Sequence, residues 1–134
     1  MIGFIVMLAL AADPAVTTLM RGPMSVVEDP KQVVVRTAAE WTALWESHAG
    51  AQTQPAVDFS TDMVVALFMG TQPTGGFSVE IVATRREADA LIIEYVEGRP
   101  GRRDVTAQVL TSPFHIVKLP KHDGPIRFEK RPGL

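Results

Sequence analysis

Hydrophobic and polar positions follow two different rhythms along this chain. The first is helical. Trp41, Leu44, Trp45 and His48 fall at i, i+3, i+4 and i+7 and share one face. Thr37 followed by Glu40 forms a capping box ahead of that face, and Gly50 supplies a stop behind it. This spacing predicts one amphipathic helix over about 37–49. The second rhythm is that of strands. Met63 to Met69 is almost wholly apolar, with Met63, Val65, Leu67 and Met69 on one side and Val64, Ala66 and Phe68 on the other. Apolar residues on both sides of a strand predict an interior strand covered on each face. Phe77 to Thr84 alternates, Arg85 to Asp89 reads as a polar turn, and Leu91 to Val96 pairs back to give a hairpin. Shorter β-type runs are Met24 to Glu28, Gln32 to Arg36, Val105 to Leu110, Phe114 to Leu119 and Pro125 to Phe128. The predicted fold class is α+β: a mainly antiparallel β-sheet with the one principal helix packed on it.

Between the apolar strand and the hairpin lies Gly70-Thr71-Gln72-Pro73-Thr74-Gly75-Gly76-Phe77. Glycine permits positive φ and close backbone approach, whereas proline fixes φ and removes a donor. This loop is richer in both than a simple hairpin requires. Two readings stand side by side: a turn whose geometry the fold demands, and a docking loop that presents backbone amides to a partner through Thr74, Gly75, Gly76 and Phe77.

Composition adds bounds. The chain has 134 residues, enough for one domain with a real core. It is 46% hydrophobic and 21% charged, as folded globular proteins are. A net charge of −2 gives no dominant electrostatic partner, which argues against nucleic acid. Cysteine is absent, so disulfides, thiolate metal sites and a cysteine nucleophile are excluded together. Ile2 to Ala12 is uncharged and mostly apolar, and Ala9-Leu10-Ala11 fits a small-x-small cleavage site. Residues 1–11 are therefore expected to be a secretion signal and 12–134 a single exported domain; an ordinary buried strand is the alternative for this segment. The run is about half the ~20 residues of a membrane span, so no span is expected in the mature chain.

Candidate chemistry is sparse. His48, His115 and His122 show no metal-ligand spacing, and there is no Gly-x-Ser-x-Gly elbow or P-loop. Asp58 and Asp62 read as a capped turn rather than a carboxylate pair. No catalytic residue, metal or cofactor is expected, and the protein is expected not to be an enzyme. Arg99, Arg102 and Arg103 around Pro100-Gly101 could hold a carboxylate or phosphate bidentately, or could simply balance Glu94 and Glu97 in a solvated loop.

Two segments taken together carry a family resemblance. Gly70 to Ile81, with its threonine-glycine-glycine-aromatic loop before a strand, and Ser112-Pro113-Phe114-His115-Ile116-Val117-Lys118-Leu119-Pro120 resemble the PrcB-type domain. That domain is named for a subunit of a bacterial cell-surface protease complex. Trp41, Trp45 and Val57-Asp58-Phe59 also resemble it, and the similarity spans roughly 34–128. Phe77 stands where the family more often has tyrosine, so a hydroxyl is missing here. The resemblance implies export, to the periplasm, the cell surface or beyond, and a non-catalytic supporting role beside a protease. The favoured expectation is thus an accessory module that docks a protein partner through the glycine loop and adjacent strand. The alternatives are a module for an anionic envelope ligand bound by the arginine loop, and a hydrolase with an atypical site.

Overall fold

The apolar run Met63–Met69 lies at the centre of the molecule. The computed structural model describes residues 15–132, so the expected signal segment, residues 1–11, falls outside the described residues. Within them the element order is β1 (Thr17–Gly22), β2 (Lys31–Val35), α1 (Ala38–Ala49), β3 (Asp62–Phe68), β4 (Ser78–Glu87), β5 (Ala90–Gly98), β6 (Phe114–Pro120) and β7 (Ile126–Lys130). Two sheets form, one of four strands in the order β1-β6-β3-β2 and one of three in the order β4-β5-β7. Strand β3 is flanked by β6 and β2 in the plane and covered above and below. Met63, Val65, Leu67 and Met69 pack against Val79, Ile81, Leu91 and Ile93 of the second sheet. Val64, Ala66 and Phe68 pack against Trp41 and Trp45 of the helix. The result is three layers: helix, four-stranded sheet, three-stranded sheet. The α+β, mainly antiparallel architecture read from the sequence is the one found.

The helix forms as its sequence dictates. Thr37 is the N-cap, its hydroxyl oxygen accepting from the Glu40 amide at 3.2 Å while donating to the Glu40 carboxylate at 3.0 Å. Gly50 closes the other end at φ 60, a conformation that β-carbons disfavour. Both indoles are buried, tilted against one another with ring centroids 5.6 Å apart, and each N–H finds a carbonyl in the following loop: Trp41 Nε1 to Pro55 at 2.9 Å, Trp45 Nε1 to Gln52 at 2.7 Å. The loop after the helix is thereby tied back onto it.

Two expected strands are absent and one strand is unexpected. Met24 to Glu28 makes only an isolated bridge, Met24 with Ser112. Its backbone is satisfied elsewhere: the Ser25 hydroxyl takes the Val27 amide, the His48 carbonyl takes the Val26 amide, and the Ser112 hydroxyl bonds the Val27 carbonyl. Local serine bonds of this kind compete with a strand ladder. Val105 to Leu110 is likewise irregular, its apolar residues exposed rather than paired. Conversely, Thr17–Gly22 adds an antiparallel edge to β6, with a bulge between Thr18 and Met20. The hairpin is longer than its sequence suggests. Arg85 to Glu87 stay in β4, and only Ala88 and Asp89 make the turn, Ala88 at φ 54.

The reason lies on the outer face of the second sheet. Arg85 bonds Glu94 and Glu129, the latter at 2.8 Å; Arg127 bonds Glu87 at 3.2 Å; Arg131 reaches Glu94. Register places Ile92 between Arg85 and Arg127, and Ile92 is fully buried. Their aliphatic stems suit that position, since arginine covers apolar surface while its head stays wet. Strand β7 runs parallel to β5, the one parallel strand pair among the described residues, because the chain leaves the sheet to form β6 and then returns.

Replacing Trp41 by alanine removes a fully buried indole and leaves the Pro55 carbonyl unpaired. Urea denaturation of this variant should show a loss of about 3–5 kcal/mol. Replacing Ala88 by glycine should raise stability or leave it equal, because the αL conformation costs alanine about 1 kcal/mol; a lower urea midpoint would contradict this.

Candidate functional site

The glycine loop sits at one end of the sandwich, laced to the segment 99–111 that joins β5 to β6. Gln72 and Thr111 exchange both backbone bonds, at 2.7 and 3.0 Å. The Thr111 hydroxyl donates to the Thr74 carbonyl at 2.8 Å, and the Gly75 amide donates to the Ala107 carbonyl at 2.9 Å. Thr74 turns its own hydroxyl onto the Gly75 carbonyl. The loop is therefore half-exposed and held down rather than projecting. Its glycines divide by role. Gly76 has φ +87, and a β-carbon there would come 3.0 Å from Pro100 and 3.1 Å from Thr106. Gly70 has φ +77 and would strike Pro30 at 2.8 Å. Gly75 has ordinary φ, with only Ala107 at 3.4 Å. Gly70 and Gly76 answer to local geometry; Gly75 does not.

Phe77 follows the loop, half-buried against the inter-sheet core, with the Arg99 guanidinium 6.0 Å over its ring. Beside it a groove of about 350 Å³ opens between the end of β1 and the start of β4, lined by Arg21, Gly22, Pro23, Phe77, Ser78 and Val79. Strand β4 is an edge strand, and side chains rather than another strand occupy its outer side. Arg21 Nε donates to the Val79 carbonyl at 3.2 Å, with its Nη1 on Glu80. The Ile81 amide donates to His115 Nδ1 at 2.8 Å. Antiparallel pairing turns alternate residues outward, so the Val79 amide also points away from β5 toward the groove.

His115 is the pin between the sheets. It lies on β6, fully buried, and joins β4 through Nδ1 and β1 through Nε2, which sits 2.8 Å from Thr18 Oγ1. Because Nδ1 accepts an amide hydrogen, it carries no proton; Nε2 carries the proton and donates to Thr18. The bonded form is neutral. Burial, aided by the Arg21 cation and opposed by Glu80, lowers its pKa to about 4.

The other singled-out residues do not gather at this groove. Arg99 is paired with Glu97 at 3.4 Å, while Arg102 and Arg103 lie exposed in a turn closed by Asp104 accepting from the Gly101 amide. The three arginines do not form one fork, and Glu94 is balanced by Arg85 and Arg131 instead of by them. His122 donates to the Asp89 carbonyl at 3.0 Å. Asp58 caps its own turn, accepting from the Ser60 amide and hydroxyl, bonds that hold its carboxyl below the usual range. His48 was foreseen on the helix face, but its bond to Ser25 was not: Nδ1 lies 2.8 Å from Ser25 Oγ, while Nε2 is unpartnered among Trp45, Phe68 and Phe114. No carboxylate orients that ring, and the pair fastens the 23–28 segment to the end of the helix. Arg21 and His115 are the contacts at the groove that sequence reasoning missed, because each acts on a strand distant in the chain.

Comparison with protein-family models matches residues 63–120 to the PrcB C-terminal family. Over these residues the chain is similar to a PrcB-type domain. The matched stretch runs from β3 through the glycine loop, the hairpin and the 99–111 segment to the end of β6. It thus contains His115, Phe77 and one wall of the groove; Arg21 to Pro23, the other wall, precede it. No curated protein and no solved structure matches the chain.

Gly76→Ala should cost about 1–2 kcal/mol through its positive φ, whereas Gly75→Ala should stay within about 0.5 kcal/mol. Thermal melts of the two variants check the contrast. His115 titrates near 6.5 when unfolded and near 4 when folded. Over that window the unfolded chain binds the extra proton, so stability falls as pH drops from about 6.5 to 4 and is fully present above it. The loss attributable to this group is at most about 3 kcal/mol. His115→Gln can accept from Ile81 and donate to Thr18 without titrating. Urea midpoints at pH 7 and pH 4.5 should therefore converge for this variant relative to the parent.

Proposed function

We propose that the protein is an exported, non-catalytic accessory module that docks an extended segment of a protein partner within a protease complex. The segment would lie in the groove beside Phe77, against the outer edge of β4. The observation that carries this reading is the state of that edge: no strand among the described residues covers it, and the groove opens where the Val79 amide points outward. Backbone pairing along such an edge gives affinity, and flanking pockets give selectivity. The capping of the Val79 carbonyl and Ile81 amide by Arg21 and His115 limits pairing to the end of β4 next to the glycine loop. Edge capping by side chains also protects an unpaired strand from indiscriminate association.

The PrcB-type domain supports a protein-complex setting for the module. The apolar leader Ile2 to Ala12 supports export. Absence of an enzymatic role is part of the same proposal: the groove residues Gly22, Pro23, Phe77, Ser78 and Val79 bring together no nucleophile with a base, and Arg21 is engaged with Glu80. The role of the glycine loop is then to set the angle of Phe77 and the start of β4, with Thr74, Gly75 and Gly76 forming the rim of the docking surface.

Val79→Ala and Val79→Pro both truncate the side chain, but only the proline removes the outward-pointing amide. If partner backbone pairs at this edge, the proline variant should bind at least about tenfold more weakly than the alanine variant, with melting temperatures of the two compared as control. Equal affinity of both variants for the protein captured by cross-linking in the native cell, measured by surface plasmon resonance, would remove backbone pairing from the proposal.

A further inference from the structure

We infer that the segment 99–110 continues this docking surface, and that it fits a partner segment in which apolar side chains sit next to carboxylates; the inference rests on the docking of a protein segment at Phe77. Three features of the segment lead there. Val105 is 101% exposed, Val109 57% and Leu110 66%, so this irregular stretch presents three aliphatic side chains to solvent. It is nonetheless fixed in place by Gly75 bonding Ala107, by Thr111 pairing with Gln72 and by the close approach of Gly76 to Pro100 and Thr106. Fixed apolar groups without internal cover mark a surface that another molecule buries. Met24, 61% exposed, extends this surface, since it bridges to Ser112 just beyond the segment.

Charge supplies the second half of the match. Arg102 and Arg103 precede Val105 and have no ion-pair partner among the described residues, whereas Arg21, Arg85, Arg99, Arg127, Lys130 and Arg131 are all paired. Asp104, the nearby carboxylate, accepts from the Gly101 amide. The two guanidinium groups are therefore available to carboxylates of an incoming chain, with the planar donor geometry that suits them. Arg99, above Phe77, ties this basic turn to the groove. A chain lying along the β4 edge would leave the groove past Phe77 and meet apolar side chains beside two free cations. Complementary charge of this kind raises association rate and selectivity more than it raises affinity.

The test uses the full chain, immobilised, and a displayed library of random twelve-residue peptides. Enriched peptides should combine apolar residues with aspartate or glutamate. A synthesised winner should bind more weakly as salt rises. The double variant Arg102→Ser, Arg103→Ser should bind it about tenfold more weakly and flatten the salt dependence. The triple variant Val105→Ser, Val109→Ser, Leu110→Ser should weaken it about tenfold at every salt concentration. These positions are exposed, so melting temperatures should be unchanged. Failure to enrich any peptide, enrichment without acidic bias, or unchanged binding in both variants overturns the inference. Val79→Pro separates it from the reading beneath it. Loss of binding in Val79→Pro with full binding in the segment variants sinks this inference alone. Binding that survives Val79→Pro sinks docking at the β4 edge.

Discussion

Burial of β3 on both faces is the constraint from which the rest of this structure follows. A strand with apolar groups on each side cannot leave either face in water, so it needs a layer above and a layer below. The helix meets one need with Trp41 and Trp45, and the β4-β5-β7 sheet meets the other with Val79, Ile81, Leu91 and Ile93. Strand β6 must share this environment because it pairs with β3 along seven residues, from Asp62 with Pro120 to Phe68 with Phe114. That pairing delivers His115 to the interior, facing the second sheet.

His115 shows how a polar group in such an interior is made tolerable. A buried imidazole that left either nitrogen unpaired would incur a desolvation cost. Here one nitrogen receives the Ile81 amide and the other faces Thr18, so the ring replaces ladder bonds that no strand supplies at the β4 edge. Arg21 does the same for the Val79 carbonyl. Together they join two sheets at one corner without a continuous ladder, and the corner parts where their reach ends, at Phe77 and Ser78. The groove is the consequence of this incomplete closure.

The glycine loop and the 99–111 segment make up that end of the molecule jointly. Neither has regular structure of its own, and each supplies backbone partners to the other: Gly75 to Ala107, Gln72 to Thr111, Thr74 to Thr111. Positive φ at Gly76 brings Pro100 and Thr106 close, which sets Arg99 over Phe77. The proposed docking surface is thus built from two loops that fix one another on a stiff base.

Sequence alone determined the helix, the interior strand and the hairpin, because each is written in local periodicity: Trp41 to His48 at helical spacing, Met63 to Met69 apolar throughout, Phe77 to Val96 alternating and returning. It also carried the likeness to the PrcB C-terminal family, since the two segments that bear the resemblance both lie within the matched residues 63–120. Only tertiary structure decided the rest. Thr17–Gly22 is a strand because β6 offered it an edge, and Met24 to Glu28 is not, because Ser25, Ser112 and the end of the helix took its backbone groups first. Val105 to Leu110 has strand-forming residues but no partner strand, and so remains an exposed segment. The contacts of Arg21 and His115 had no local signature: hydrogen bonds across 34 to 97 residues depend on which strands the sheets bring together, and no window of sequence contains both partners.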